Sequence, residues 1–123
     1  VIVSNIDRES FRHSNARLGV DFDLVVTAQD VGTYKPAPGH FTRALALLEE
    51  MGVGKEKVLH TAQSLFHDHV TAKAFGLTTM WINRHAGTGD LGATPPPGAP
   101  VTPDFEVPTM AAMVALHRQE IAA

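Results

Sequence analysis

Four short β-branched runs, each followed by a helix-forming stretch or a loop, constrain this chain more than any other feature. They are Val1–Val3, Leu24–Thr27 (LVVT), Val58–Thr61 (VLHT) and Thr78–Ile82 (TTMWI). Val1–Val3 reads as a buried strand that ends at Ser4. Between the strands, Arg8 to about Leu18 reads as a helix, with Asp7 as N-cap, Phe11 and Leu18 on one face and Gly19 as C-cap. A second helix starts at Pro38, carries Phe41, Leu45, Leu48 and Met51 at helical spacing, and stops at Gly52. A third runs from about Phe66 to Phe75 and ends at Gly76. Strand and helix alternate, the pattern of parallel βαβ units, so the expected fold is α/β with a Rossmann-like parallel sheet and flanking helices.

The C-terminal part changes texture. Residues 85–103 include GATPPPGAP, which is too rich in Pro and Gly for a helix or inner strand and reads as a surface loop. Phe105–Val107 reads as a fifth strand, and Thr109 as the N-cap of a closing helix through about Ile121. No internal repeat is visible, and residues 1–123 read as a single domain.

Composition narrows the function classes. The net charge of −3, with no basic block, argues against a nucleic-acid partner. The absence of cysteine excludes disulfides and zinc–thiolate sites and fits a reducing compartment, so the expected location is cytoplasmic. No apolar run reaches the ~18 residues of a membrane span, and no basic segment precedes an apolar one as in a signal peptide.

In parallel α/β sheets, ligands bind beyond the carboxyl ends of the strands. After the first strand stand Ser4, Asn5 and Asp7; after the second, the long loop AQDVGTYKPAPGH with Lys35; after the third, Gln63, Ser64, His67 and Asp68; after the fourth, Asn83 and Arg84. A hydroxyl, a lysine and a carboxylate converging on one edge are suited to holding a small anion. Each also has a plain structural reading. Ser4 and Asn5 are turn formers, Lys35 is directed by Pro36, and Asp68 favours a helix start whatever its function. His67 and His69, two residues apart, point to different helix faces and make no metal pair, and His60 reads as a hydrogen-bonded core histidine.

The order of the segments is more informative than any one of them. SNID (Ser4–Asp7), DVGTYKPAPGHF (Asp30–Phe41), HTAQSLFHDHVTAKAFGL (His60–Leu77) and TTMWINR (Thr78–Arg84) together resemble the haloacid dehalogenase-like (HAD) hydrolase superfamily, most closely its type II haloacid dehalogenase branch. The resemblance implies catalytic roles for Ser4, Lys35 and Asp68. Ser4, the second motif, would bind the substrate anion with Asn5 beside it. Lys35, the third, would balance the charge of the nucleophile and transition state. Asp68 would be the fourth motif's acid, with Ser64 a substrate-binding residue one turn earlier.

The resemblance also implies what these residues lack. The superfamily's first motif, a strand ending in the nucleophilic aspartate, and the helical cap after it have no counterpart among them. The expectation is a C-terminal portion that is inactive alone, whose incomplete sheet favours a homodimer or a missing N-terminal half. The implied reaction is hydrolysis of a small 2-haloacid through an aspartyl ester, with no cofactor. The alternative is a Mg²⁺-dependent phosphatase with Asp68 as metal ligand. Ser64 stands where such phosphatases commonly carry a second acid, and Leu65 where the dehalogenases carry asparagine. Two non-enzymatic classes are a receiver-type signalling module, which needs its lysine after later strands than Lys35 follows, and a truncated remnant that associates with itself.

Overall fold

The structure, a computed structural model, describes residues 1–88 and 94–122. The chain forms two compact units, Val1–Lys57 and Val58–Ala123. Among the described residues every strand pairing is parallel, as the βαβ rhythm predicts.

In the first unit, β1 (Ile2–Ser4) pairs with β2 (Val25–Thr27), with Ser4 opposite Thr27. β1 is half-buried, less enclosed than the buried strand expected at Val1–Val3. Helix α1 (Arg8–Leu18) begins where the Asp7 carboxylate accepts from the Ser10 N–H at 2.8 Å and ends at Gly19 in the left-handed conformation. None of its residues is buried: Phe11 meets Phe22 at 6.2 Å between ring centroids, while Leu18 is exposed.

The segment after β2 departs from the expected long loop. Ala28–Val31 forms one helical turn, α2, because Thr27 and Asp30 make a capping box. Thr27 Oγ1 accepts from the Asp30 N–H, while Asp30 Oδ2 accepts from the Thr27 N–H at 3.0 Å. Helix α3 (Gly39–Glu50) follows Pro38. Its inner face is His40, Phe41, Ala44 and Leu48; Leu45 is half-buried and Met51 is exposed beyond the last turn.

In the second unit the sheet order is β3-β4-β5, with β3 at Leu59–Ala62, β4 at Thr78–Ile82 and β5 at Phe105–Val107. Asp104 ties β5 to β4 by accepting from the Thr79 N–H at 2.8 Å, and it also pairs with Lys73 Nζ at 2.7 Å. Helix α5 (Met110–Ala122) starts at Thr109, whose Oγ1 accepts from the Ala112 N–H, and lays Ala112, Met113 and Leu116 on a core of Met80, Ile82 and Val107.

The helix expected from Phe66 is split. Leu65–His69 winds as a π-turn, and only Val70–Ala74 (α4) is α-helical before Gly76. Residues 94–103 carry no helix or strand, whereas 89–93 of the predicted loop lie outside the described residues. Among the described residues, no helix is long and apolar enough to cross a membrane.

Candidate functional site

The first unit brings three of the expected site residues together. β1 delivers Ser4 and Asn5 at its carboxyl end, and the connection between α2 and α3 returns Lys35 to the same place. Asn5 does the joining. Its Oδ1 accepts the Lys35 N–H at 2.7 Å, and its Nδ2 donates to the Lys35 carbonyl at 3.1 Å. The Lys35 ammonium donates to the Val3 carbonyl at 3.1 Å, one residue before Ser4. Ser4 is held at both ends: its carbonyl accepts from His40 Nε2 at 2.9 Å, and its hydroxyl oxygen accepts from the Ile6 N–H at 3.3 Å. His40 is fully buried at the start of α3, so the helix fixes the strand end that carries the serine.

An open cleft of about 590 Å³ lies at these strand ends, lined by Asn5, Ile6, Asp7, Ala28, Gln29, Gly32, Thr33 and Tyr34. Gln29 and Asp30 bind Arg8, the first through its side-chain oxygen on the backbone N–H and the second through a carboxylate–guanidinium pair. The Thr27 N–H, then the Arg8 guanidinium, hold the Asp30 carboxyl down to about 2.

The second unit holds Ser64 and Asp68 on the π-turn that follows β3. Ser64 is its N-cap: Oγ accepts from the His67 N–H at 2.9 Å and lies 2.9 Å from His67 Nδ1. The wide turn, with the His69 N–H reaching the Ser64 carbonyl five residues back, turns Asp68 and His69 inward together. Asp68 is only 5% exposed, within a π-turn where an α-helix start was expected. Its Oδ1 accepts from His60 Nε2 at 3.1 Å. His69 is fully enclosed and donates Nε2–H to the Ala62 carbonyl at 2.9 Å. Burial pushes its pKa below the usual histidine value, so the ring is neutral at pH 7.

Sequence reasoning passed over His60, which was read as core, and the anchoring parts played by Asn5 and His40. A histidine inside a strand is the signal for the first; nothing local marks the other two. Gln63, Asn83 and Arg84 also stand at strand ends. The Gln63 carbonyl accepts from Trp81 Nε1 at 2.9 Å, and Asn83 Nδ2 reaches Glu106 at 3.5 Å. Among the described residues, no three His, Asp or Glu side chains form a metal-holding group.

No family model matches the chain. Haloacetate dehalogenase H-2 of Moraxella sp. (strain B) is 34% identical over 119 residues, which are 94% of this chain and 47% of that protein. Among solved structures, a HAD phosphatase from Thermococcus onnurineus matches at 29% identity with a TM-score of 0.69, over 94% of this chain and 48% of its own. L-2-haloacid dehalogenase from Xanthobacter autotrophicus shares the fold at 24% identity and a TM-score of 0.73, over 96% and 54%. The putative HAD-hydrolase YfnB from Bacillus subtilis, solved bound to magnesium, shares it at 18% and 0.72, over 95% and 47%. The chain thus spans about half the length of these relatives. In sequence and fold, the chain is similar to about half the length of haloacid dehalogenase-like hydrolases.

Proposed function

We propose that this chain supplies the anion-binding and charge-balancing residues of a HAD-like hydrolase that acts on a small 2-haloacid, once an aspartate nucleophile is provided from outside these residues. In that reaction the aspartate carboxylate attacks the carbon bearing the halogen, and the halide leaves with the bonding pair. Water then attacks the ester carbonyl, returning the aspartate and releasing the 2-hydroxyacid. A carboxylate attacking an anionic substrate concentrates negative charge, so the reaction needs fixed donors and a fixed cation. Ser4 serves as donor to the substrate carboxylate, with Asn5 beside it, and Lys35 as the cation. Asp68 and Ser64 serve as the acid and the polar residue of the fourth motif. The chain alone carries out no turnover, and its partner is the segment that bears the first motif.

The observation that carries this reading is the joint holding of Ser4 and Lys35 at the end of β1, with Lys35 Nζ 3.1 Å from the Val3 carbonyl. The 34% identity to a haloacetate dehalogenase supports the substrate class.

A magnesium-dependent phosphatase is the second reading, favoured by the 29% identity to a HAD phosphatase. The donor set described here fits that ion poorly. Mg²⁺ asks for several oxygen ligands, and this segment offers one carboxylate, Asp68, whose Oδ1 already binds His60. No step is therefore derived through a metal.

The test is halide release from chloroacetate and 2-chloropropionate by this chain fused behind a segment bearing the first motif. Release that persists in a chelator, and is lost in Lys35→Ala with an unchanged circular dichroism spectrum, is the expected result. Turnover retained in Lys35→Ala sinks the role given to the lysine. Phosphate-ester hydrolysis that stops on chelation moves the assignment to the second reading.

A further inference from the structure

We propose that His60 is a positioning residue that holds the Asp68 carboxylate in one orientation, a role resting on the function given to Asp68 above. His60 sits mid-strand in β3, and its Nε2 lies 3.1 Å from Asp68 Oδ1. The two side chains are 13% and 7% exposed, so the bond is shielded from water. An ionised carboxylate only accepts, hence Nε2 carries the proton and donates. A buried carboxylate is stabilised by each donor that reaches it, so this bond helps hold Asp68 in place.

The neighbourhood stiffens the pair. His69 stands edge-on to the His60 ring, with centroids 6.2 Å apart and planes at 62°, and its Nε2 is committed to the Ala62 carbonyl. The π-turn sets the register. Asp68 and His69 are adjacent, yet both face inward, one toward His60 and the other toward Ala62 two residues along β3. An apolar side chain at position 60 would fill the same space but would remove this donor from Asp68 Oδ1. Fixing one carboxylate oxygen sets the plane of the group. Such partners behind a functional group commonly carry about 10–100-fold in activity.

Two measurements decide it. In the 123-residue chain, nitrogen-15 NMR is expected to show a slowly exchanging His60 Nε2–H that vanishes in Asp68→Ala. In the fused enzyme, His60→Phe keeps a ring and removes the donor; kcat is expected to fall about 10–100-fold with KM within about twofold. His60→Gln, whose side-chain amide reaches the same point, is expected to recover most of that loss. A purely structural histidine would not be rescued by glutamine in kcat alone.

An unchanged kcat in His60→Phe overturns the proposal, as does His60→Gln falling as far as His60→Phe, or a wild-type chain without the protected proton. If His60→Phe does not fold, the NMR pair and His60→Gln decide. A protected proton in a fused wild type that turns over no haloacid or phosphate ester leaves the pair standing and removes the function assigned to Asp68.

Discussion

Asn5 grips Lys35 from both sides of its backbone, accepting the Lys35 N–H at 2.7 Å and donating to the Lys35 carbonyl at 3.1 Å. One side-chain amide thus does what a neighbouring strand would do for a residue that has none. It also fixes where the lysine side chain begins, and the ammonium then closes on the Val3 carbonyl. Lys35 is thus located by Asn5, the residue after Ser4.

Removing that grip has a defined cost. Asn5→Ala leaves the Lys35 N–H and carbonyl without this partner and is expected to lower the stability of the chain by about 1–3 kcal/mol. Asn5→Asp keeps the acceptor, loses the donor and should fall between. Urea unfolding followed by circular dichroism checks the order; an unchanged midpoint in Asn5→Ala would show that the clasp contributes nothing.

Gly39 holds the other end of the same connection. A Cβ there would lie 2.5 Å from Val31 Cγ1 and 3.0 Å from Thr33 Oγ1, so Gly39→Ala must displace those side chains. The expected loss is about 1–3 kcal/mol, the usual range for overpacking. Gly19 is a contrasting case. Its Cβ position is open, but its φ is +64°, so Gly19→Ala costs about 1–2 kcal/mol through the backbone alone. Crystal structures of the two variants separate the causes: displaced Val31 and Thr33 side chains for the first, a rebuilt helix end with no clash for the second.

Acid should weaken the first unit through Asp30. Its carboxyl titrates at about 2 in the folded chain, against an ordinary 3.8, chiefly because it accepts from the Thr27 N–H. Between those values the unfolded chain takes up a proton that the folded chain refuses. The stabilisation is therefore complete above about pH 4 and lost as the pH falls through 2. Asp30→Asn should be less stable than wild type at pH 7 and should show a shallower decline between pH 4 and pH 2. Parallel declines would contradict the assignment.

A second pH window belongs to His69. Burial lowers its pKa from the ordinary 6.5, so below that pH the unfolded chain binds a proton sooner than the folded chain does. The stabilisation is present above about pH 6.5 and is lost as the pH falls through the lowered folded value. The melting temperature should drop from pH 7 to pH 5. His69→Gln, which retains a donor for the Ala62 carbonyl but does not titrate, should flatten that drop. An equal slope in His69→Gln would place its origin elsewhere.

What the sequence determined by itself is the part governed by neighbours in the chain. Strand and helix alternate where the β-branched runs and the Gly stops say they should. Asp7 and Thr109 cap the helices that follow them, and the pairing is parallel throughout. Propensity, capping and left-handed glycine all act within a few residues, so they can be read from a short window. The order of Ser4, Lys35 and Asp68 was legible in the same way, through the segments that carry them.

Tertiary structure decided the rest. The capping box of Thr27 and Asp30 that makes α2 is the exception, a local bond that a short window also contains. The π-turn buries Asp68, where the sequence suggests an ordinary helix start. Asn5 meets Lys35 across 30 residues, and His60 meets Asp68 across eight. Such bonds depend on which groups burial brings together and leaves in need of a partner, and that need exists only once the chain has folded.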